Sequence, residues 1–268
     1  MIAVGEQLGT LMGYKLAGSG RYEVSDFSGY DEKKGWLGPD GEPIQSIIGD
    51  VRPGSLKLMD IAGNEDGTPD GKITADDITK IGTVNPDFFG GFNIAAHAYG
   101  FDFAANFNYS IGNKVYNANK IEYTSTSKYQ YRSLSSIMEE GKRWTNLDPA
   151  TGLITNDPAR LTELNRNTTM WSPYMSKFVL TDWALEDASF LRLNTLSLGY
   201  TLPNSLTSKI GIGSLRFYVT GYNLITITDY TGFDPEADGI RKTALTPNCD
   251  YSCYPRSRSF VIGMNLNF

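Results

Sequence analysis

The sequence predicts an all-β protein made of long antiparallel strands joined by long polar loops. Segments of alternating apolar and polar residues recur along the chain, and a period of two is that of a β-strand. Turn and strand residues are abundant, with 28 Gly and 16 Tyr among 268 residues. No apolar run approaches the roughly 20 residues that a membrane-spanning helix requires. Alternating strands nevertheless remain compatible with a membrane β-barrel, in which only every second residue faces lipid.

The charge balance and the missing motifs exclude several classes of function. The chain has a net charge of −6 and an isoelectric point near 4.9. Because nucleic-acid binding requires a basic surface, we expect no nucleic-acid partner. The only histidine is His97, and the sequence contains neither a G-x-S-x-G motif nor a phosphate-binding loop. We therefore predict that the chain is not an enzyme.

The first fifty residues predict short strands separated by turns, and an Asp-rich loop follows over residues 60–77. Its segment DGTPDGKITADD fits the spacing of an EF-hand calcium loop, with Gly71 at the sharp turn. The assigned ligands are the side chains of Asp66, Thr68, Asp70 and Asp77 and the backbone carbonyl of Lys72. We predict a structural Ca²⁺ site here. The alternative is a solvated acidic turn without metal, because Asp, Gly and Pro also favour turns.

Residues 88–111 predict a β-hairpin that reverses at Gly100. The return strand over residues 101–111 is longer than most strands of globular proteins and has the length of a membrane-crossing strand. Its apolar face consists of Phe101, Phe103, Ala105, Phe107, Tyr109 and Ile111. His97 falls on the polar face of the outgoing strand, where we expect it to face water or a polar lumen.

A polar, irregular region over residues 113–185 follows, with a short helix predicted over 133–144. A connection this long is uncommon unless it has a function. Trp144, Trp171 and Tyr174 lie in this region and are candidates for stacking on a sugar ring. Their alternative role is to pack the loop itself.

Patterned strands resume at residues 190–201 and 214–228. The apolar residues change parity within the first of these strands, which predicts a β-bulge near Asn194. Arg192 and Asn194 are expected to make interior hydrogen bonds or to contact a ligand. A loop over residues 229–258 contains Cys249 and Cys253, which form either a local disulfide or two free thiols. A final alternating strand covers Phe260–Phe268.

Taken in order, six segments resemble the carboxy-terminal part of SusC/RagA-type TonB-dependent outer-membrane transporters. They are DGTPDGKITADD, IGTVNPDFFGGFN, YGFDFAANFNYSIGNKVYN, ASFLRLNTLSLGYTLP, VTGYNLITITDYTGFDPEAD and YPRSRSFVIGMNLNF. The resemblance implies a 22-stranded antiparallel transmembrane β-barrel with long extracellular loops, an internal plug and a SusD-like surface lipoprotein. It also implies uptake of oligosaccharides or peptides across the bacterial outer membrane.

On this resemblance, residues 1–268 form the carboxy-terminal portion of such a barrel, with the signal peptide and the plug absent. The remaining partners are then the plug and the other strands of the transporter, the lipid of the outer membrane, and TonB only through the missing amino-terminal part. The last strand resembles the signal that barrel-insertion machinery reads. Its side chains on one face are Phe260, Ile262, Met264, Leu266 and Phe268.

The alternating strands also allow a second hypothesis, a soluble secreted β-sandwich that binds Ca²⁺ and carbohydrate. The two hypotheses differ in what covers the apolar faces. A sandwich buries these side chains against a second sheet, whereas a barrel turns them to lipid. The residues that decide between them are Phe101, Phe103, Phe107, Phe260 and Ile262.

Overall fold

A computed structural model describes residues 5–126, 133–174, 177, 179–236 and 248–268. The chain forms two compact units. One consists of Met1–Gly82 and Asn117–Leu185, and the other of Thr83–Tyr116 and Glu186–Phe268. Each unit is described by itself below.

Short strands and small helices make up most of the elements. In the first part of the chain the strands are β1 (Thr10–Gly13), β2 (Leu16–Arg21), β3 (Gly29–Asp31), β4 (Gly35–Leu37), β5 (Leu56–Leu58) and β6 (Thr79–Thr83). Then come β7 (Phe88–Ala98), β8 (Phe101–Ile111), β9 (Lys114–Asn117), β10 (Leu147–Asp148), β11 (Leu153–Ile154) and β12 (Leu185–Asp187). The last strands are β13 (Phe190–Thr201), β14 (Ser214–Thr228), β15 (Cys249–Asp250) and β16 (Ser259–Asn267).

The α-helices are α1 (Ala118–Glu122), α2 (Pro158–Leu164) and α3 (Asn204–Thr207). Single 3₁₀ turns occur at Val24–Asp26, Ala75–Asp77, Ser136–Met138, Asp182–Ala184 and Ser208–Ile210. Within the described ranges, no helix is long and apolar enough to cross a membrane.

The helix predicted over residues 133–144 is wrong, since the structure has only the 3₁₀ turn Ser136–Met138 there. Gly141 adopts a φ of +84°, in the left-handed region, so the backbone cannot continue as a right-handed helix. The prediction that strands dominate the fold is confirmed.

The second unit is built on a five-stranded antiparallel sheet in the order β16-β14-β13-β8-β7. The β7–β8 hairpin runs in unbroken register from Phe88↔Ile111 to Ala98↔Phe101. Toward β8, Leu193 pairs with Phe107 and Thr195 with Asn106, which leaves Asn194 as an extra residue on β13. Toward β14 the register also shifts at Asn194, where two residues of β14, 223 and 224, lie between the partners of Leu193 and Thr195. The predicted bulge is therefore confirmed.

This register sorts the side chains of all five strands onto two chemically different faces. The apolar face carries Phe92, Ile94, Phe101, Phe103, Phe107, Leu193, Leu196, Leu198, Phe217, Val219, Ile225, Ile227, Phe260, Ile262, Met264 and Leu266. The opposite face carries Asn93, His97, Asp102, Asn106, Arg192, Thr195, Ser197, Arg216, Tyr218, Thr220, Asn265 and Asn267. Because the bulge changes the parity of β13, the rows stay continuous on both sides of it.

Among the described residues, no segment of the chain covers much of the apolar face. Phe101, Phe260 and Ile262 are exposed, and Ile262 retains 85% of its accessible surface. The largest apolar patch on an ordinary soluble monomer is a few hundred Å². A sandwich core would bury these side chains, so the exposure contradicts the soluble-sandwich hypothesis.

The two ends of the sheet differ in the length of their connections. At one end, Tyr99 and Gly100 join β7 to β8, and residues 202–213 join β13 to β14. At the other end, long segments leave and re-enter the sheet over residues 112–189 and 229–258.

The first unit contains its own hydrophobic core. Its main cluster is formed by Tyr14, Tyr22, Ile48, Val51, Leu56, Leu58, Ile73, Met138 and Trp171. A second cluster is formed by Trp36, Trp144 and Leu161. The small sheets β1–β6, β2–β5, β3–β4 and β10–β11 of this unit have two strands each. A three-stranded sheet of β12, β9 and β15 lies almost entirely within the second unit.

Candidate functional site

The polar face of the five-stranded sheet holds every Asp, Glu, Lys and Arg side chain of its strands. These side chains are Asp102, Arg192 and Arg216. Arg216 donates two hydrogen bonds to the carboxylate of Asp102, from Nε at 2.8 Å and from Nη2 at 2.5 Å. This bidentate geometry is the strongest form of an arginine–carboxylate pair. It lies across β13, between β8 and β14.

Gly199 of β13 makes this pairing sterically feasible. A Cβ atom at this position would contact both Asp102 and Arg216, with the carboxylate Oδ2 only 2.6 Å away. The missing side chain therefore gives the guanidinium a path across the strand. Next along the polar face, Ser197 and Thr220 share a hydrogen bond of 3.0 Å. Asn93 donates to Asn106 at 2.7 Å.

Arg192 forms a second charged cluster, at the long-loop end of the sheet. Its side chain is 2% exposed. Its two terminal nitrogens each lie 2.6 Å from a carboxylate oxygen, one of Asp234 and one of Glu236. Arg256 also approaches Glu236, at 3.2 Å. Because an unpaired buried guanidinium is very costly, these carboxylates hold their loop segments against the sheet.

A pocket of about 570 Å³ opens beside this cluster. Its lining is Val84, Pro86, Phe89, Gly90, Asn108, Tyr109, Ser110, Asn113, Phe190, Pro235, Glu236 and Asn248. The Oδ1 atom of Asn108 is buried in the structure without a hydrogen-bond partner. Aromatic rings, amides and a carboxylate in one concave site suit a ligand that carries hydrogen-bond donors and an apolar surface.

The Asp-rich loop 60–77 uses its carboxylates mainly for backbone turns. Asp66 accepts from the backbone N–H and the hydroxyl of Thr68, and these bonds lower the pKa of Asp66. Asp70 accepts from the N–H of Lys72 at 3.0 Å. In the described part of the chain, no three Asp, Glu, His or Cys side chains converge as a metal site would require.

Asp77, the closing ligand in the predicted calcium spacing, is fully buried. Its Oδ1 accepts from the N–H groups of Ile61 and Ala62, and its Oδ2 accepts from that of Thr74. Burial raises the pKa of Asp77, but these N–H donors outweigh burial and hold the pKa below its usual value. In this arrangement Asp77 caps the 3₁₀ turn Ala75–Asp77.

The three aromatic candidates for ligand stacking have different surroundings. Trp144 and Trp171 are each 3% exposed and pack within the hydrophobic clusters of the first unit. Trp171 makes an edge contact with Trp183 at a centroid distance of 4.6 Å. Tyr174 is 67% exposed. Of the three rings, only that of Tyr174 has a face open to a ligand.

Other predicted positions have simple surroundings. His97 is exposed on the polar face, directly across from Asp102. Cys249 and Cys253 are not joined by a disulfide in the structure. Between them, Asp250 is buried and accepts a 2.6 Å hydrogen bond from the hydroxyl of Tyr230. Burial and this bond raise the pKa of Tyr230.

The strand assigned as an insertion signal is β16, at one edge of the five-stranded sheet. Four of its assigned side chains point to the apolar face, in register with β14: Phe260, Ile262, Met264 and Leu266. Phe268 follows the strand and is exposed. Four of the five assigned side chains therefore lie on one face, as the alternation predicted.

Sequence reasoning missed the Asp102–Arg216 pair and the acidic partners of Arg192. The sequence does contain a pattern that could have indicated the Asp102–Arg216 pair. The five long strands contain one acidic residue and two arginines, and all three fall on the polar parity once the bulge is included. Asp234 and Glu236 lie in an irregular loop, and no periodicity indicates where a loop carboxylate folds back.

The fold and its charged face define a class of protein: a sheet of long antiparallel strands with one exposed apolar face and one polar face. Comparison with known proteins agrees with that class. No protein-family model matches the chain. It is 31% identical over 252 residues to TonB-dependent receptor P3 of Formosa agariphila, which covers 91% of the chain and 22% of that relative. It is 33% identical over 91 residues to TonB-dependent receptor SusC of Bacteroides thetaiotaomicron, covering 33% of the chain and 8% of SusC.

Solved structures show the same similarity. The RagAB peptide importer in its open-open state matches 97% of the chain, with a TM-score of 0.57 and 25% identity. The RagAB peptide transporter matches the same share with a TM-score of 0.60 and 24% identity, which supports the fold alone. The chain covers 22% of each of these solved chains. It spans 22% and 26% of the length of the first two curated relatives.

These comparisons confirm the resemblance that the motifs indicated. Over most of its length, the chain is similar to TonB-dependent receptors of the SusC/RagA type. The prediction that it is not an enzyme is also confirmed, because these relatives are named as receptors, importers and transporters.

Proposed function

We propose that the chain forms part of the barrel wall and the extracellular loops of an outer-membrane TonB-dependent transporter. The observation that carries this proposal is the exposed apolar face of the five-stranded sheet, opposite a face with hydrogen-bonded ions and amides. A lipid-facing exterior and a polar lumen are the two surroundings of strands in a membrane barrel.

The edges of the sheet support a larger barrel. Among the described residues, β7 pairs only with β8 and β16 pairs only with β14. An unpaired strand edge in lipid leaves backbone groups without partners, each at a cost of several kcal/mol. We therefore assign these edges to pairing with further strands of a 22-stranded barrel.

The two ends of the sheet support an orientation. Membrane barrels have short turns on the periplasmic side and long loops outside. The connection Tyr99–Gly100 and residues 202–213 then face the periplasm. The long-loop end, with the Arg192 cluster and the pocket beside it, faces the cell exterior.

The substrate class is either peptides or oligosaccharides. Relatives in solved structures are named as peptide importers, and the pocket next to Asn108 offers hydrogen-bond acceptors and aromatic rings that suit either class. The partners of the whole transporter are a SusD-like surface lipoprotein, the plug and, through the plug, TonB. Ca²⁺ binding at residues 60–77 is part of the same proposal, as a brace for that loop.

Adjacent positions on β16 test the membrane wall. Ile262→Arg places a charge on the apolar face, and Val261→Arg places the same charge on the polar face. At mid-depth, an arginine facing lipid costs about 2–4 kcal/mol. We expect Ile262→Arg to reduce the free energy of unfolding in phospholipid vesicles by about 2–4 kcal/mol. Val261→Arg should have little effect. Denaturant titration of both variants is the measurement. Equal effects of the two variants would refute the lipid-facing assignment.

A further inference from the structure

The pocket beside the Arg192 cluster presents two buried acceptor atoms that the described part of the fold leaves without hydrogen bonds. All of its lining residues belong to the second unit. The Oδ1 atom of Asn108 and the Oε2 atom of Glu236 are both buried, and no described residue donates a hydrogen bond to either. Asn108 pairs with Arg192 across β8 and β13, so both acceptors lie beside the same guanidinium. Because buried acceptors normally have partners, the pocket offers these two atoms to a donor on a ligand.

Glu236 contacts two arginines that differ in how firmly they are held. The Nη1 atom of Arg192 lies 2.6 Å from Oε2 of Glu236, and the Nη2 atom of Arg256 lies 3.2 Å from the same oxygen. Arg192 is 2% exposed, whereas Arg256 is 48% exposed and is 3.8 Å from Asp234, its other carboxylate contact. Long ion pairs on an exposed side chain contribute little to stability. Arg256 is therefore able to leave Glu236 at low cost, but Arg192 is not.

The charge balance of the cluster depends on Arg256. Asp234 and Glu236 both contact Arg192, so withdrawal of Arg256 leaves two carboxylates against one guanidinium. A cationic group on a ligand restores the balance if it binds at Glu236.

The surroundings of the pocket also favour a cation. Seven Asp or Glu but only three Lys or Arg occur in the segments that supply its walls, which are residues 83–89, 112–116, 186–190, 229–236 and 248–258. Arg192 on β13 adds a fourth basic side chain. An excess of carboxylates around a cleft attracts positively charged ligands and raises their local concentration.

The remaining walls of the pocket are apolar. They are formed by Val84, Pro86, Phe89, Phe190 and Pro235. The ring of Phe190 already contacts a cation, since the guanidinium of Arg192 lies 5.3 Å from its centroid. A volume of about 570 Å³ is of the size that holds a small organic molecule or one end of a longer one. The lining therefore suits a compact cation that is attached to an apolar or ring-shaped body.

We propose that this pocket binds a primary ammonium group and that Arg256 occupies Glu236 when the ligand is absent. The ammonium group has three donors, and it donates to Oδ1 of Asn108 and to the carboxylate of Glu236 while Arg256 moves into solvent. Two kinds of ligand carry such a group, a peptide with a free amino terminus and an amino sugar. The inference rests on the proposed function, because it narrows the ligands of the transporter to those with an amine.

Two matched pairs of probes test the proposal on the full chain in phospholipid vesicles. The first pair is the tripeptide amide alanyl-phenylalanyl-alanine with a free and with an acetylated amino terminus. The second pair is the trimer of glucosamine and the trimer of N-acetylglucosamine. Isothermal titration at about pH 6.5, where an α-amino group is protonated, measures the four affinities. We expect at least one amine to bind about tenfold or more tightly than its acetylated form, because a charge-assisted hydrogen bond is lost on acetylation.

Four variants assign the effect to named side chains. Glu236→Gln should abolish the preference for the amine. Asn108→Ala leaves both ion pairs of Glu236 in place and should weaken amine binding severalfold, so it tests the site even if Glu236→Gln disturbs the loop. Arg256→Gln should raise amine affinity about three- to tenfold, because it removes a competitor for Glu236. Arg258→Gln is the matched control, since Arg258 is exposed and has no ion pair with another described residue.

The outcomes separate this site from the membrane wall. A preference in one probe pair alone identifies the source of the ammonium group as a peptide or an amino sugar. Equal affinities within both pairs, no binding of either amine, or a preference that survives both Glu236→Gln and Asn108→Ala overturn the site. Equal effects of Arg256→Gln and Arg258→Gln overturn the role of Arg256. The comparison of Ile262→Arg with Val261→Arg in the same vesicles reports on the wall, and the titrations decide the ammonium site whichever way that comparison falls.

Discussion

Single residues on the polar face decide which long-range contacts the sheet makes. Gly199 is the clearest case, because Asp102 and Arg216 meet over its missing side chain. Its role comes from the atoms that it lacks, and the contacting partners are on strands on either side of β13. The spacing of these residues in the sequence does not indicate that they meet.

We predict that Gly199→Ala breaks the Asp102–Arg216 pair. The added methyl group overlaps both side chains, and overpacking of this kind costs about 1–3 kcal/mol. The free energy of unfolding from denaturant titration is the measurement. Gly29→Ala is the control, because a Cβ at Gly29 has no atom within 4 Å.

A double-mutant cycle sharpens this prediction. Once Asp102→Ala has removed the pair, Gly199→Ala should cost clearly less than it does in the parent chain. Additive losses would show that Gly199 acts through the backbone and not through the ion pair.

A second residue-scale prediction concerns alkaline stability. Burial, together with the charges of Asp26 and Asp60, raises the pKa of Tyr22 to about 12. In the unfolded chain a tyrosine ionises near pH 10, so the folded state binds this proton more tightly. The resulting stability is fully present below pH 10 and is lost as the pH rises toward 12.

Between pH 10 and pH 12 the free energy of unfolding of the parent chain should fall by on the order of 2 kcal/mol because of Tyr22. Tyr22→Phe should not show this fall. The measurement is the free energy of unfolding of the chain as a function of pH. Tyr174→Phe, which removes an exposed phenol, is the control and should keep the alkaline loss of the parent. An unchanged slope in Tyr22→Phe would contradict the prediction.

At the scale of elements, the bulge in β13 decides which face each side chain occupies. Arg192 lies before the bulge and Ser197 after it, yet both face the polar side. Without the extra residue, every side chain of β13 before the bulge would lie on the other face of the sheet. On β14 the same part of the sheet contains Asn223, with a φ of +52°.

We predict that deletion of Asn194 turns Arg192 onto the apolar face and separates it from Asp234 and Glu236. The loss of a buried ion pair costs about 3–5 kcal/mol. Asn194→Ala keeps the residue count and the bulge, so it should cost about 1 kcal/mol, the common loss for a single substitution and well below that of the deletion. Comparison of the two variants by denaturant titration is the measurement. Similar losses would show that register is not the cause.

The Asp-rich loop gives another element-scale prediction. If Ca²⁺ binds residues 60–77, adding it raises the thermal stability of the chain, and Asp66→Asn removes that gain with little loss in the absence of Ca²⁺. Asp77→Asn should destabilise under both conditions, because Asp77 accepts three backbone hydrogen bonds in a buried site. Isothermal titration with Ca²⁺ measures binding directly, and no heat of binding would refute the calcium site.

At the scale of the whole molecule, the central feature is an amphipathic sheet whose two edge strands, in the part of the chain that the structure describes, each pair on one side only. Its alternation is a local property, and the sequence shows it clearly. The exposure of its apolar face is a global property, because a sheet with the same alternation could also be covered by a second sheet in a sandwich. The described residues place no such sheet over Phe260 and Ile262. For this reason the Ile262→Arg and Val261→Arg pair tests the function and not only the fold.

The sequence alone determined the strands, the hairpin at Gly100, the bulge at Asn194 and the family resemblance. All of these depend on near neighbours, and the two-residue period of a strand is visible in them. Tertiary structure alone decided that Trp144 and Trp171 are buried, that Asp77 caps a turn, and that Arg192 pairs with Asp234. These outcomes depend on which distant segments meet, and burial and charge pairing are energies between such segments that local periodicity does not encode.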